Sequence, residues 1–387
     1  MKILIDARMY GPEFTGIGRY LINLIKELIR LDLSNEYVLI LRRKYFNLLK
    51  VPQSWEKVHL DANHYSLKEQ ILLPKILKQI NPNLVHFPHF NIPIFWKGKF
   101  VVTIHDMTMH RQGKNASTLP DHLYYLKRML YKIIFKKAVL EAQKIIVPTY
   151  TVRKDISDYY DLNKDKFKVI YEGFDDAFSG PNHNKNILTK YKLGHKYFVY
   201  AGNVYPYKNL SQSVAAVKLI NEKFSGNVSL VIICSRSIFL KRLYREVKNL
   251  KAEKYTKFLG FVPDEDLSIL FKHSIAFVYP SLAEGFGIQG LEAMASGTLL
   301  LASDIPVFKE IYGNHAIYFN PYDPLSIAKA MKNAIKMNDD KRTKIVKNSR
   351  NFIKMYSWSK MAKQTHKVYK EVSSVVHENS NSIRPGK

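Results

Sequence analysis

Residues 275–297 read IAFVYPSLAEGFGIQGLEAMASG, and their reading decides the fold. Ile275-Ala276-Phe277-Val278-Tyr279 is apolar without alternation, which suits a strand buried on both faces of a parallel sheet. A turn rich in glycine follows, through Gly285, Phe286, Gly287 and Gly290; Ile288, Leu291, Glu292 and Met294 then recur at helical spacing. Strand, tight turn and helix aim backbone N–H groups at an anion. Glu284 stands in the turn beside that anion, and Glu292 points along the same cleft from about two helical turns in. One carboxylate near a polar group and another farther out suit a long bipartite ligand, such as a sugar joined to a nucleotide.

The same alternation runs through the chain. Candidate strands at 2–6, 37–41, 84–87, 101–104, 144–148 and 168–171 are separated by amphipathic segments, the clearest at 17–30. After a polar linker at 179–186 the pattern restarts, with strands at 197–201, 228–233, 256–258 and 275–279 and helices at 209–222, 238–250 and 264–272. This predicts two doubly wound α/β domains, over 1–180 and 187–355. The last dozen residues read as disordered.

A chain of 387 residues with 46% hydrophobic composition is too long for one core. Cys234 is the single cysteine and sits in an apolar run, so no disulfide framework exists and a reducing cytoplasm fits. Neither a signal peptide nor a membrane-spanning run is expected. The net charge of +27 fits an anionic membrane surface, polyprenyl phosphate or nucleotide-sugar, or simply a lysine-rich composition. No nucleic-acid recognition motif accompanies it. Within 122–140, Lys127, Arg128, Lys132, Lys136 and Lys137 interleave with apolar residues, which suits either a membrane-surface helix or a core helix with a solvated basic face.

Four further stretches carry chemistry. In VYAGNVYPYKNL, residues 199–210, a strand ends at Gly202, and Lys208-Asn209 opens a helix where a lysine reaches a phosphate. Arg236 is a candidate second cation. His105-Asp106 ends a strand at a carboxyl edge, where open α/β sheets bind ligands, and His86 and His89 end the preceding one. Gly16 and Gly18, ahead of the first helix, allow close approach of a phosphate or sugar, with Arg19 beside them. Asp264-Glu265-Asp266 matches a metal-binding string, but its place in a first helical turn makes it an ordinary dipole partner.

The 281–297 stretch resembles the E-x7-E motif of the retaining glycosyltransferases of family 4, and the likeness continues through Ser303-Asp304-Ile305-Pro306, Glu310 and Tyr318-Phe319-Asn320-Pro321. That resemblance implies the GT-B fold: two Rossmann-like domains facing across a cleft, the first for the acceptor and the second for the donor. A tail helix at about 358–375 then crosses back onto the first. It implies transfer of a sugar from a nucleotide-sugar to a hydroxyl of a glycan or lipid-linked acceptor in cell-surface polysaccharide or glycolipid assembly, with GDP-mannose the first donor to test. No cofactor, metal or nucleic acid is implied, and the location is cytoplasmic or peripheral on the inner face of the plasma membrane. By the resemblance, Glu284 and His105 serve the sugar. Gly202, Lys208, Asn209, Gly285, Phe286, Gly287, Ile288 and Glu292 hold the donor, and Gly16, Gly18 and Arg19 line the acceptor or phosphate loop. Tyr207 and Asn203 stand where relatives carry arginine. A nucleotide-sugar epimerase of the same fold and a non-catalytic binding subunit remain as alternatives.

Overall fold

In the computed structural model the described residues are 1–381, except 33, 115–116, 181–185, 195, 225 and 235–237; of residues 375–381 only the backbone is described. The chain divides into two compact units. The first comprises Met1–His110, Pro120–Gly173 and the residues from Ser357 onward; the second comprises Arg111–Leu119 and Phe174–Tyr356. Phe174 to residue 180 and the short Arg111–Leu119 segment therefore group with the second unit rather than with the expected 1–180 domain.

The first unit is built on seven parallel strands: β1 (Lys2–Asp6), β2 (Glu36–Leu41), β3 (Glu56–His59), β4 (Leu84–Phe87), β5 (Phe100–Thr103), β6 (Lys144–Val147) and β7 (Phe167–Val169). Their order is β3-β2-β1-β4-β5-β6-β7. Ile3 lies opposite Tyr37 on one side and Leu84 on the other. The strands read as near-continuous apolar runs because helices cover both faces of a parallel sheet. β3 has no such run: EKVH is half-exposed at the sheet edge, so its alternation carries little signal.

The second unit carries β8 (Tyr197–Ala201), β9 (Ser229–Ile233), β10 (Thr256–Leu259), β11 (Ala276–Tyr279), β12 (Leu299–Ser303) and β13 (Ile317–Phe319). Their order is β10-β9-β8-β11-β12-β13, again all parallel. Each sheet reverses direction once, between β1 and β4 in the first unit and between β8 and β11 in the second. In open α/β sheets the crevice at that reversal, beyond the strands' carboxyl ends, is where ligands bind.

The tail helix, expected to about 375, runs Trp358–Asn381, so the segment expected to be disordered is helical as far as Asn381. Within the first unit it is fastened by polar contacts. Asp32 Oδ2 lies 2.9 Å from His366 Nε2. The Tyr369 hydroxyl lies 2.6 Å from Nδ1 of His86, whose Nε2 is 2.8 Å from the Thr103 hydroxyl. His86 is therefore a core residue on β4, fully buried, and burial together with the charge of His105 pushes its pKa down to about 3. Tyr369→Phe would strip one partner from this buried ring. Equilibrium denaturation should show a loss of about 1–3 kcal/mol; an unchanged midpoint would mean the contact holds nothing.

Candidate active site

Two loops meet at the reversal point of the second sheet. The first leaves β8 at Gly202 and turns through a short 3-10 segment, Pro206–Lys208, which delivers Lys208. The second leaves β11 at Pro280 and delivers Glu284 before the helix Ile288–Ser296. The Lys208 ammonium donates to Glu284 Oε1 at 2.5 Å, with only 7% and 11% of the two side chains exposed. The ammonium also lies 5.2 Å from the Tyr207 ring centre and 5.6 Å from that of Tyr279. Aromatic faces therefore take up part of the cation's field where water is scarce.

Backbone and side-chain bonds fix the pair. Leu282 N–H donates to Tyr207 O at 2.8 Å, joining the two loops directly. Asn209, left-handed at φ 58°, sends its side-chain amide to Pro280 O (3.1 Å) and Pro321 O (2.7 Å). One side chain thus ties the turn after β8 to the ends of β11 and β13, and both of its amide hydrogens are occupied. Gly202 likewise donates its N–H to Ile233 O at 3.0 Å. These two residues, expected to touch the donor, use those groups to shape the loops.

Gly287 has φ 101°, a conformation that disfavours side chains, and its carbonyl accepts the Tyr312 hydroxyl at 2.5 Å. A Cβ at Gly287 or at Gly290 would stand 2.3 Å from that hydroxyl. The glycines are thus required by a buried tyrosine at their back. Burial, and then the charge of Glu284, hold the Tyr200, Tyr279 and Tyr312 hydroxyls well above the ordinary phenol range, so all three stay neutral donors. Phe286 packs edge-on against Tyr356 at 5.7 Å, and Ile288 is buried. Glu292 is 1% exposed and only about one turn into its helix, not two, because that helix starts at Ile288 rather than in the turn. Asn203 Oδ1 and Ser281 Oγ are buried in the same loops without a hydrogen-bond partner among the described residues, atoms that a polar ligand could satisfy. Arg236 lies outside the described residues.

The first unit holds His105 at the end of β5. Its Nδ1 is 3.0 Å from Glu172 Oε1 and its Nε2 is 3.1 Å from Pro88 O. Both neighbours are acceptors, an arrangement that the doubly protonated ring satisfies at both nitrogens. Burial opposes this charge, but the hydrogen bond and charge of Glu172 prevail and raise the pKa. With both nitrogens bonded, His105 can offer a sugar its backbone but not its ring nitrogens. Glu172 escaped the sequence reading because nothing in Tyr171-Glu172-Gly173 marks a histidine partner 67 residues away.

Gly16, Gly18 and Arg19 do not form a loop ahead of a helix; they lie inside it, since the helix spans Thr15–Leu31. An added Cβ at Gly18 would sit 1.9 Å from Gly11 O, so this glycine serves a close backbone crossing, whereas Gly16 faces open space. Asp266, in the helix Asp264–His273, accepts from Lys190 at 2.6 Å and from the Tyr191 hydroxyl at 2.8 Å. That carboxylate is occupied by a structural cation.

Comparison with known proteins adds matches of three kinds. The family described as "Glycosyltransferase Family 4" matches residues 14–178, and that described as "Glycosyl transferases group 1" matches residues 185–352. The O-antigen chain mannosyltransferase RfbU of Salmonella typhimurium is 29% identical over 75% of this chain and 74% of its own. The O-antigen chain mannosyltransferase B of Escherichia coli is 25% identical over 96% of this chain and 100% of its own. Among solved structures, a sucrose-phosphate synthase from Thermosynechococcus elongatus superposes with a TM-score of 0.77 at 16% identity, covering 97% of this chain and all 100% of that one. Anabaena HepE in complex with UDP and glucose gives 0.72 at 18% identity, over 96% of this chain and 100% of that one.

The His105–Glu172 pair has a pH consequence. Because the folded pKa is raised, the pair stabilises the first unit fully below the free imidazole value of about 6.5. That stabilisation is lost as pH rises through the elevated value. Glu172→Gln should lower the His105 pKa in a ring-proton NMR titration. A titration that does not move would remove Glu172 as the cause.

Proposed function

The chain belongs to the family 4 glycosyltransferases, and on that premise we propose that it transfers mannose from GDP-mannose to a hydroxyl of a growing cell-surface glycan, with retention at the anomeric carbon. The observation that carries this reading is the Lys208–Glu284 pair at the reversal point of the second sheet. A nucleotide-sugar offers what each member needs: a diphosphate for the ammonium and sugar hydroxyls for the carboxylate. The mannosyltransferase names of two relatives support the choice of sugar.

In this proposal Lys208 and the N–H groups of Gly285 to Ile288 steady the leaving diphosphate. Glu284 holds sugar hydroxyls, and Glu292 holds the ribose. The donor phosphate removes the proton from the incoming hydroxyl on the face it leaves, so the enzyme's work is positioning and charge stabilisation. No metal takes part; the occupied Asp266 carboxylate supports that reading. Transfer should therefore persist in excess EDTA, and loss of activity restored by manganese would refute it. In the same assay Glu284→Ala should lower turnover ~10²-fold or more. Glu292→Gln should weaken binding of the bare nucleotide, and equal nucleotide affinity in that variant would withdraw the ribose assignment.

The proposal includes an anionic membrane surface as the place of work. No helix among the described residues is long and apolar enough to cross a membrane. The helix Asp121–Glu141, however, buries only Tyr131, Ile134, Phe135, Ala138 and Val139. Leu123, Tyr125, Leu126, Met129, Leu130 and Ile133 are all at least 40% exposed, interleaved with Lys127, Arg128, Lys132 and Lys136. A solvated basic face alone would not expose that apolar area, and both features suit an interfacial helix. Each lysine near an anionic surface contributes ~1 kcal/mol. Co-sedimentation should favour anionic over neutral vesicles and fall with salt to a residue that Leu126→Ser and Met129→Ser remove. Equal binding to neutral vesicles at low salt would refute the charge contribution.

A further inference from the structure

The reversal point of the first sheet holds a second built site. Asp6, at the end of β1, receives Arg8 through two contacts, Nε to Oδ1 at 2.7 Å and Nη2 to Oδ2 at 2.6 Å. The same Nη2 reaches Glu69 Oε1 at 2.6 Å, and Arg8 is fully buried. From the loop after β4, the Asn91 amide also donates to Glu69 Oε1, at 2.7 Å, while its own Oδ1 is buried without a partner among the described residues.

This network holds one residue in a conformation it would not otherwise keep. Glu69 Oε2 accepts the Tyr65 N–H at 2.7 Å, and Tyr65 has φ 64°, a left-handed backbone that is an outlier for a bulky side chain. Tyr65 as a residue is 49% exposed. Its ring stands 6.2 Å from the His89 ring and 6.1 Å from that of Phe90, the residues that follow β4. Strain held by a buried charge network, for the sake of an exposed tyrosine, calls for a ligand.

The chemistry of the surroundings selects its class. Asp6 and Glu69 bring two carboxylates against the single guanidinium of Arg8. Burial holds His64, with a pKa down to about 3, and His89 uncharged. Arg8 is held by its two carboxylates, and Arg42 lies 3.3 Å from His64 Nδ1 and 5.0 Å from the Phe14 ring centre. A polyhydroxyl ring finds an aromatic face and polar acceptors here. We propose that Tyr65 is the stacking platform for the pyranose ring of the acceptor and that the Asp6–Arg8–Glu69–Asn91 network positions it. The assignment rests on the glycosyltransferase reading above and names its acceptor subsite.

Glycine takes a left-handed φ freely, so Tyr65→Gly removes the ring without disturbing the backbone, and Tyr65→Phe keeps the ring. Saturation-transfer NMR with methyl α-mannoside, without donor, reports sugar binding independently of transfer. Signal is expected in the parent and in Tyr65→Phe, and should be lost in Tyr65→Gly. With an alkyl α-mannoside as acceptor, Tyr65→Gly should raise the acceptor KM about 10-fold and leave the donor KM unchanged. Full sugar signal in Tyr65→Gly, or none in the parent, overturns the proposal. A nucleotide-sugar that fails to raise the Tm, beside an intact Tyr65-dependent sugar signal, counts against the proposed donor reaction instead.

Discussion

Parallel strands cannot be joined by tight turns, and this constraint organises the whole molecule. Every connection has to climb back over the sheet, so the inner strands are covered on both faces and every loop after a strand emerges at the same edge. Chemistry is left to those loops. In each unit the winding reverses once, and the loops on either side of the reversal diverge and leave room. Lys208 and Glu284 flank one such place; Asp6, Arg8 and Asn91 flank the other.

What the loops hold in common is a buried ion pair supported by neutral hydrogen-bonding groups. In the second unit the support is three tyrosines and the Asn209 amide; in the first it is Asn91 and backbone groups. A buried pair contributes little net stability, because desolvating the two charges offsets most of their attraction. Its value is positional. Each charge has few other places to go, so each side chain keeps one arrangement in the absence of ligand, and positioned charge is what transfer chemistry needs.

Much of the architecture was legible because apolar runs and helical spacing are local properties. The strand ending at Tyr279, the turn through Gly287 and the helix with Glu292 could be read directly, and so could the place of Lys208 after β8. The half-polar edge strand Glu56–His59 gave no run to read. Helix starts misled where the cap is irregular: Thr15 begins its helix at φ 51°, which drew Gly16, Gly18 and Arg19 inside it. Long-range partners were invisible. Arg8 with Glu69 and His105 with Glu172 join residues 61 and 67 positions apart, and a lone charged residue in a strand-end loop looks alike whether paired or not. Gly202 and Asn209 were read as donor contacts, and the structure adds a second task that their sequence does not announce: the Gly202 N–H and the Asn209 amide brace the loops that carry Lys208 and Glu284.

The Lys208–Glu284 pair also bears on selectivity in a medium crowded with inorganic phosphate. A bare phosphate reaching for the ammonium must approach a carboxylate 2.5 Å from it, and the two negative charges repel. A free sugar reaching for the carboxylate must compete with the ammonium already bonded there. Only a molecule that presents an anion and neutral hydroxyls at neighbouring positions satisfies both at once. In the donor role proposed for it, the pair would work as a two-key lock, turning away the abundant fragments of a nucleotide-sugar while admitting the intact whole.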